Sequence, residues 1–364
     1  EPDAPFFLAL VGPELAGGGE DRSRPYPFYL ASPLDPFTET ADAPRELEQR
    51  LGPRQEWRVE WKWDGIRAQL LRRAGAAYLW SRGEELIGER FPELVRGALS
   101  LLPDGTVIDG EILTYRNGRP LPFAVLQRRI GRKVLTEKVL TEAPVVLMAY
   151  DLLEADGRDV REEPLASRQE RLATLVAAGR PLFLHSPVVV GDGGAEVAAA
   201  RQEARERGVE GLMIKRLDSP YRTGRRRGDW WKWKIEPWSV DAVLVYAQAG
   251  HGRRANLFTD YTFAVWADGE LVPIAKAYSG LSDEEILALD GWIRAHTLQK
   301  FGPVRSVEPV HVFELAFEGI ARSPRHRSGI AVRFPRIARW RSDKTAEQAD
   351  TLEQVQALLP QGKR

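Results

Sequence analysis

At 364 residues the chain is too long for one ordinary hydrophobic core, so two domains are expected. Hydrophobic residues at 43% and charged residues at 29% describe a globular protein, and the lack of any run of about 18 apolar residues excludes a membrane-spanning helix. The formal net charge is +0 and cysteine is absent, which excludes a disulfide framework and a thiolate zinc site and fits a reducing cytoplasm.

The opening EPDAPFFLAL has no methionine, no basic start and no continuous apolar segment, so no signal peptide is read and the chain is expected to be a fragment. The neutral total conceals an asymmetry. Residues 1–50 carry ten acidic and four basic side chains, residues 215–234 eight basic and two acidic, and residues 322–344 eight basic against the single acid Asp343. Such concentrated basic segments fit local polyanion contact, with solvated faces as the plain alternative.

In chain order, GGGEDRSRPYPFY reads as an entry loop. AYLWSR, TVIDGEI and APVVLMAYDLL read as strands; FPELVRGALSLL and SRQERLATLVAAG read as helices, the second ending at Gly179. After Trp238 the texture turns to strands. DAVLVYAQ is followed by YTFAVWADGELVPIAKAY, where Asp268-Gly269 is placed as a hairpin turn. HVFELAFEG puts Phe313, Leu315 and Phe317 on one face and Glu314 and Glu318 towards solvent. Between them SDEEILALDGWIRAH opens on a capping box, Ser282 with Glu285. The expected fold class is α+β: residues 1–26 as a linker or remnant, a mixed domain over 27–238, and a small OB-type barrel over 239–364.

Only ten of the 52 basic residues are lysines, and one stands in EWKWDGIR between two tryptophans. On a strand, Trp61 and Trp63 would point one way and Lys62 the other, beside Glu60. WWKWK repeats the device with Lys232 and Lys234 opposite Trp231 and Trp233. Two such strands side by side would gather three amines, and crowding with desolvation lowers a lysine pKa and frees a nucleophilic amine, which arginine cannot supply.

KWDGIR at 62–67 resembles the nucleophile motif of the covalent nucleotidyltransferases, and its companions follow in order: SRGEE at 81–85, DGE at 109–111, MAYD at 148–151, EGLMIK at 210–215, WKWK at 231–234 and RFPRIARWRSDK at 333–344. Order and spacing are similar to those of ATP-dependent DNA ligases over residues 26–350, and AQAGHGRRA with RFPR resembles the bacterial repair-associated type.

The resemblance implies an adenylation (nucleotidyltransferase) domain of antiparallel sheets with flanking helices, followed by an OB-fold barrel. It implies that Lys62 attacks the α-phosphorus of ATP to give lysyl-AMP, with Lys232 and Lys234 stabilising the α-phosphate charge. Glu60 would accept from the adenine amino group, while Tyr150 and Met213 would cover the two base faces. Glu111 would contact the ribose and, with Glu210, place Mg²⁺ or Mn²⁺. Arg67 and Arg82 would contact the nucleotide or the 5′-phosphate of the nick. Arg333, Arg336 and Arg341 would align the leaving pyrophosphate, with a hinge near residues 236–239. The implied partner is nicked duplex DNA, bound as a monomer in the bacterial cytoplasm and nucleoid, with a repair helicase or nuclease as further partners. Alternatives are an RNA ligase or capping-type nucleotidyltransferase and a non-catalytic DNA-binding scaffold. Without an N-terminal DNA-binding domain, self-adenylation is expected to outlast nick sealing.

Overall fold

A computed structural model describes residues 22–34, 43–132, 134–191, 193–250, 252 and 255–359; His251, Arg253 and Arg254 of AQAGHGRRA and most of the expected N-terminal linker lie outside them. The chain divides into two units, Glu1–Ile235 and Glu236–Arg364, at a boundary a few residues ahead of Trp238.

In the first unit, α1 (Ala43–Leu51) precedes strand β1 (Trp57–Trp61), β2 (Ile66–Arg73) and β3 (Ala76–Ser81). Then follow α2 (Pro92–Leu101), β4 (Thr106–Arg116), α3 (Phe123–Ile130), α4 (Glu137–Glu142), β5 (Val145–Ala155), α5 (Leu165–Ala178), β6 (Phe183–His185), α6 (Gly194–Glu203), β7 (Gly211–Arg216) and β8 (Trp230–Lys234). Gly179 caps α5, as expected. Two sheets result. One has the order β6-β5-β4-β2-β3. Its apolar face packs Leu70, Ile108 and Leu147 against Leu94 of α2 and Leu172 of α5. The other has the order Ser32–Pro33, β8, β7, β1, and its apolar face gathers Trp57, Val59, Trp61, Ile214 and Trp233 with Leu47 of α1 and Val197 of α6. The sheets are not wholly antiparallel: β6 runs parallel to β5, and Ser32–Pro33 parallel to β8.

The second unit contains β9 (Trp238–Ala249), β10 (Phe258–Ala267), β11 (Glu270–Ala277), α7 (Asp283–Ala295), β12 (Thr297–Phe301), β13 (Val304–Val307), β14 (Val312–Phe317), β15 (Gly319–Arg322), β16 (Ile330–Arg333), β17 (Arg336–Trp340) and α8 (Leu352–Ala357). Its sheet order is β11-β10-β9-β13-β12, with β14 pairing β9 and β17. The long β9 serves three neighbours and so curls the sheet round one core. Asp268 and Gly269 both take positive φ, 50° and 83°, as a two-residue hairpin turn requires. The Ser282–Glu285 capping box is formed, and Phe313, Leu315 and Phe317 are buried.

Candidate functional site

The first unit's site begins with register. β7 lies between β1 and β8, so the two tryptophan-flanked lysine strands are not direct neighbours. They are nonetheless aligned. Met213 pairs with Glu60 on one side and Lys232 on the other, and Lys215 likewise separates Arg58 from Trp230. One residue beyond β1, the amide of Lys62 donates to the Gly211 carbonyl at 2.8 Å, and Gly211 pairs with Lys234. Directly paired residues share a sheet face, so Glu60, Lys62, Met213, Lys232 and Lys234 stand on one face. The tryptophans Trp61, Trp63 and Trp233 are buried in the apolar cluster.

Glycine at 211 is demanded twice. Its φ is +135°, and a Cβ there would meet the Trp233 carbonyl oxygen at 2.3 Å and Lys234 Cα at 2.7 Å. The missing side chain lets β7 and β8 approach at this point. Beside it, Glu210 Oε2 accepts from Lys62 Nζ and lies 3.4 Å from Lys234 Nζ. Lys232 carries the lowered pKa expected of a crowded amine, through burial first and then the charges of Lys62, Arg225 and Lys234.

Glu111 on β4 and Tyr150 on β5 belong to the other sheet, and the Tyr150 hydroxyl reaches Glu111 Oε2 at 3.4 Å. Burial pushes the Glu111 carboxyl up to about 7; Lys62 and Arg67 oppose this, while Glu210 and Asp109 add to it. Glu60 is buried, with Oε2 accepting from Lys215 Nζ at 2.8 Å and Oε1 accepting from Arg58 Nε. Burial alone would raise its pKa, but Lys215 and then Arg58 outweigh that and hold it below the usual value. The Lys215 amine sits 4.6 Å from the ring centres of both Tyr150 and Trp230, a site where an aromatic face offsets part of the desolvation of a buried cation. Met213 packs, half-buried, beside Tyr29, Tyr221 and Trp230.

Arg67 is not a free fork. Its Nε and Nη2 donate to the two oxygens of the buried Asp109 at 3.2 and 2.7 Å, and Tyr221, buried between them, donates to Asp109 Oδ2 at 2.7 Å. Arg82 follows β3, its amide bonded to the Arg67 carbonyl and its side chain exposed. Asp151, next to Tyr150 in MAYD, faces the other way into a fully buried bidentate pair with Arg168, at 2.8 and 3.0 Å.

The final-motif arginines belong to the second unit. Arg333 ends β16 and Arg336 begins β17, 3.9 Å from Glu318. Between them Phe334 takes φ 51° and is 61% exposed. Arg341 is engaged within its own unit, by Asp241 at 2.9 Å and Asp343 at 2.7 Å.

Sequence reasoning thus placed ten side chains that fall in the first unit and three in the second, and it missed Arg58, Asp109, Lys215 and Tyr221. The signals for Asp109 and Lys215 were present, since both stand inside quoted motifs. Tyr221 carried none, its partners being remote in sequence; Arg58 stands two residues from Glu60, but no quoted motif includes it and its other partners, His185 and Ser186, are remote.

The two units define an adenylation-type α+β domain followed by an OB-fold barrel. Residues 37–234 match the ATP dependent DNA ligase domain and residues 254–344 the ATP dependent DNA ligase C terminal region, and the chain belongs to the ATP-dependent DNA ligase family. A probable DNA ligase of Koribacter versatilis is 40% identical over 356 residues, covering 92% of this chain and 60% of that protein. A probable DNA ligase of Streptomyces avermitilis is 34% identical, covering 97% of this chain and 69% of that protein. In an Opitutus terrae relative at 41% identity only 32% of the protein is covered, so the chain spans roughly one to two thirds of the length of these relatives. Among solved structures, a Lig E DNA ligase described as binding DNA with a minimal scaffold superposes with TM-score 0.59 at 20% identity, covering 87% of this chain and all of that one; this likeness supports the fold.

Proposed function

We propose that this chain is a DNA ligase core that seals nicks in duplex DNA through an adenylate on Lys62. The observation that carries the reading is the convergence of Lys62, Lys232 and Lys234 on Glu210 on one sheet face. The neutral Nζ of Lys62 attacks the α-phosphorus of ATP; an N–P bond forms, the bond to the bridging oxygen breaks, and pyrophosphate leaves. Glu210, hydrogen-bonded to that amine, is placed to take its proton. Lys232 and Lys234 stabilise the charge that develops on the α-phosphate. AMP then passes to the 5′-phosphate of the nick, restoring the lysine, and the 3′-hydroxyl displaces AMP.

Adenine offers an acceptor at N1 beside a donor at N6, and guanine reverses both. The donor Lys215 beside the acceptor Glu60 matches adenine, with Tyr150 and Met213 as the covering faces, and this counts against a guanylyltransferase. Arg67 and Arg82 are proposed for the nucleotide and the 5′-phosphate. Arg333 and Arg336 are proposed to align pyrophosphate when the barrel closes about residues 236–239; Arg341, whose fork Asp241 and Asp343 hold, steadies their segment.

Glu111 and Glu210 are the carboxylates that Mg²⁺ or Mn²⁺ carried by the nucleotide would meet. No group of three His, Cys, Asp or Glu suited to a metal occurs among the described residues, which suits an ion whose other ligands are phosphate oxygens and water. When bound, it supplies neutralisation of phosphate charge. No described helix is long and apolar enough to cross a membrane. A nick is one local feature of one duplex, so we place a monomer on cytoplasmic DNA, with a helicase or nuclease that prepares the nick as the partner the reaction calls for.

Intact-mass measurement after ATP and Mg²⁺ tests the reading. The chain should gain one adenylyl group, Lys62→Ala should gain none, and nicked duplex should discharge the label. An adenylyl group mapped to another side chain would overturn it.

A further inference from the structure

Behind Glu60 the first unit contains a polar network built on Arg58 and Lys215. Arg58 Nε donates to Glu60, and its Nη2 donates to the Ser186 carbonyl at 3.1 Å and lies 3.3 Å from His185 Nε2. The same ring nitrogen is 2.9 Å from Gln169 Oε1, and Gln169 Nε2 donates to the Tyr150 carbonyl at 2.8 Å. Lys215 donates to that carbonyl at 3.2 Å and to Glu60 at 2.8 Å. Two arms therefore meet on Glu60, one through Arg58 to the Ser186 carbonyl and one through Lys215 to the Tyr150 carbonyl, and both join the lysine-bearing sheet to the Tyr150-bearing part of the unit.

The donor directions follow from one another. Because the Gln169 amide nitrogen faces the Tyr150 carbonyl, its oxygen faces His185, and His185 Nε2 must carry the proton. Arg58 is then held by Ser186 and Glu60, with the imidazole filling the space beside it. Its side chain is 10% exposed against 2% for Glu60, so both are withdrawn from water.

We propose that Arg58 is a positioning residue for nucleobase selection: tied to the Ser186 carbonyl and packed against His185, it fixes the Glu60 carboxylate from behind so that its rotamer presents a preset acceptor to the exocyclic amine of adenine. This rests on the reading of Glu60 as the adenine acceptor. A carboxylate on an unbraced side chain turns to accept from whichever donor edge arrives, and a braced one discriminates because a mismatched base leaves buried polar groups unpaired.

Transfer of α-labelled ATP and GTP to the full chain tests the proposal. Arg58→Met keeps the volume and removes the brace; it should raise the KM for ATP about tenfold, change kcat less, and reduce the preference for ATP over GTP about tenfold. Arg58→Lys, which restores a charge near Glu60, should recover part of the preference. Unchanged KM and preference in Arg58→Met would overturn the proposal. Glu60→Gln separates the two claims: if it alters base preference while Arg58→Met does not, only the brace fails; if it alters nothing, base reading by Glu60 fails and the brace with it. A readout in the unmutated chain guards against misfolding of the variants. The Arg58 Nε–H resonance, assigned by its loss in Arg58→Met, should exchange slowly with solvent before ATP is added, and fast exchange would overturn the proposal.

Discussion

Lys62 and Lys234 stand at matching positions either side of Gly211, and the Glu210 carboxylate bridges them. Two amines are thereby held near one carboxylate oxygen, on the sheet face that also carries Lys232.

Gly211→Ala should therefore damage both stability and chemistry. The added methyl meets backbone on β8 at 2.3 Å and the residue sits at φ +135°, so the strand must shift. Thermal unfolding should show a loss of about 2 kcal/mol or more, and intact-mass measurement should show little adenylate.

Lys232→Met should separate stability from activity in opposite directions. Burial and the charges of Lys62, Arg225 and Lys234 disfavour the Lys232 ammonium, so its removal should raise Tm slightly at neutral pH. Formation of lysyl-AMP in the same variant should slow by about a hundredfold, the cost of losing one fixed charge at the phosphate.

The Glu111 carboxyl, pushed up to about 7, makes stability depend on pH without nucleotide or metal. Its protonated form is favoured in the folded chain, so that contribution is complete below the usual glutamate value and is lost as pH rises through about 7. Glu111→Gln has no such loss. In a chelator-containing buffer its Tm relative to the parent chain should climb between about pH 4.5 and 7 and level off above.

Asp151→Asn tests the boundary between site and scaffold within MAYD. The pair with Arg168 is fully buried, and breaking it leaves a guanidinium without its counter-charge, at a cost of about 3–5 kcal/mol. Unfolding in urea should register that loss; an unchanged midpoint would mean the pair is dispensable.

The exposed run Arg225, Arg226 and Arg227 lies just ahead of β8. Replacing all three by serine should weaken duplex binding uniformly across sequences and reduce the slope of log K against log salt by up to about 2.7. A slope that does not change would remove this segment from the phosphate contacts.

What the sequence itself determined was local or periodic. Alternation put Phe313, Leu315 and Phe317 on one face and Trp61, Trp63 and Trp233 into the core, with Trp231 half-buried beside them, because a strand's side-chain period is fixed at two, and the Asp268-Gly269 pair marked a hairpin turn. The ordered motifs placed Lys62, Glu111, Glu210 and Lys232 in one unit. Which strands are neighbours is set by contacts between residues far apart in sequence, and only the tertiary structure decided that β7 separates the two lysine strands, that Glu210 bridges Lys62 and Lys234, and that Arg58 and Lys215 close on Glu60. The same holds for Arg67 and Arg341: folding brings Asp109 to one and Asp241 to the other, and these carboxylates set the direction of each fork.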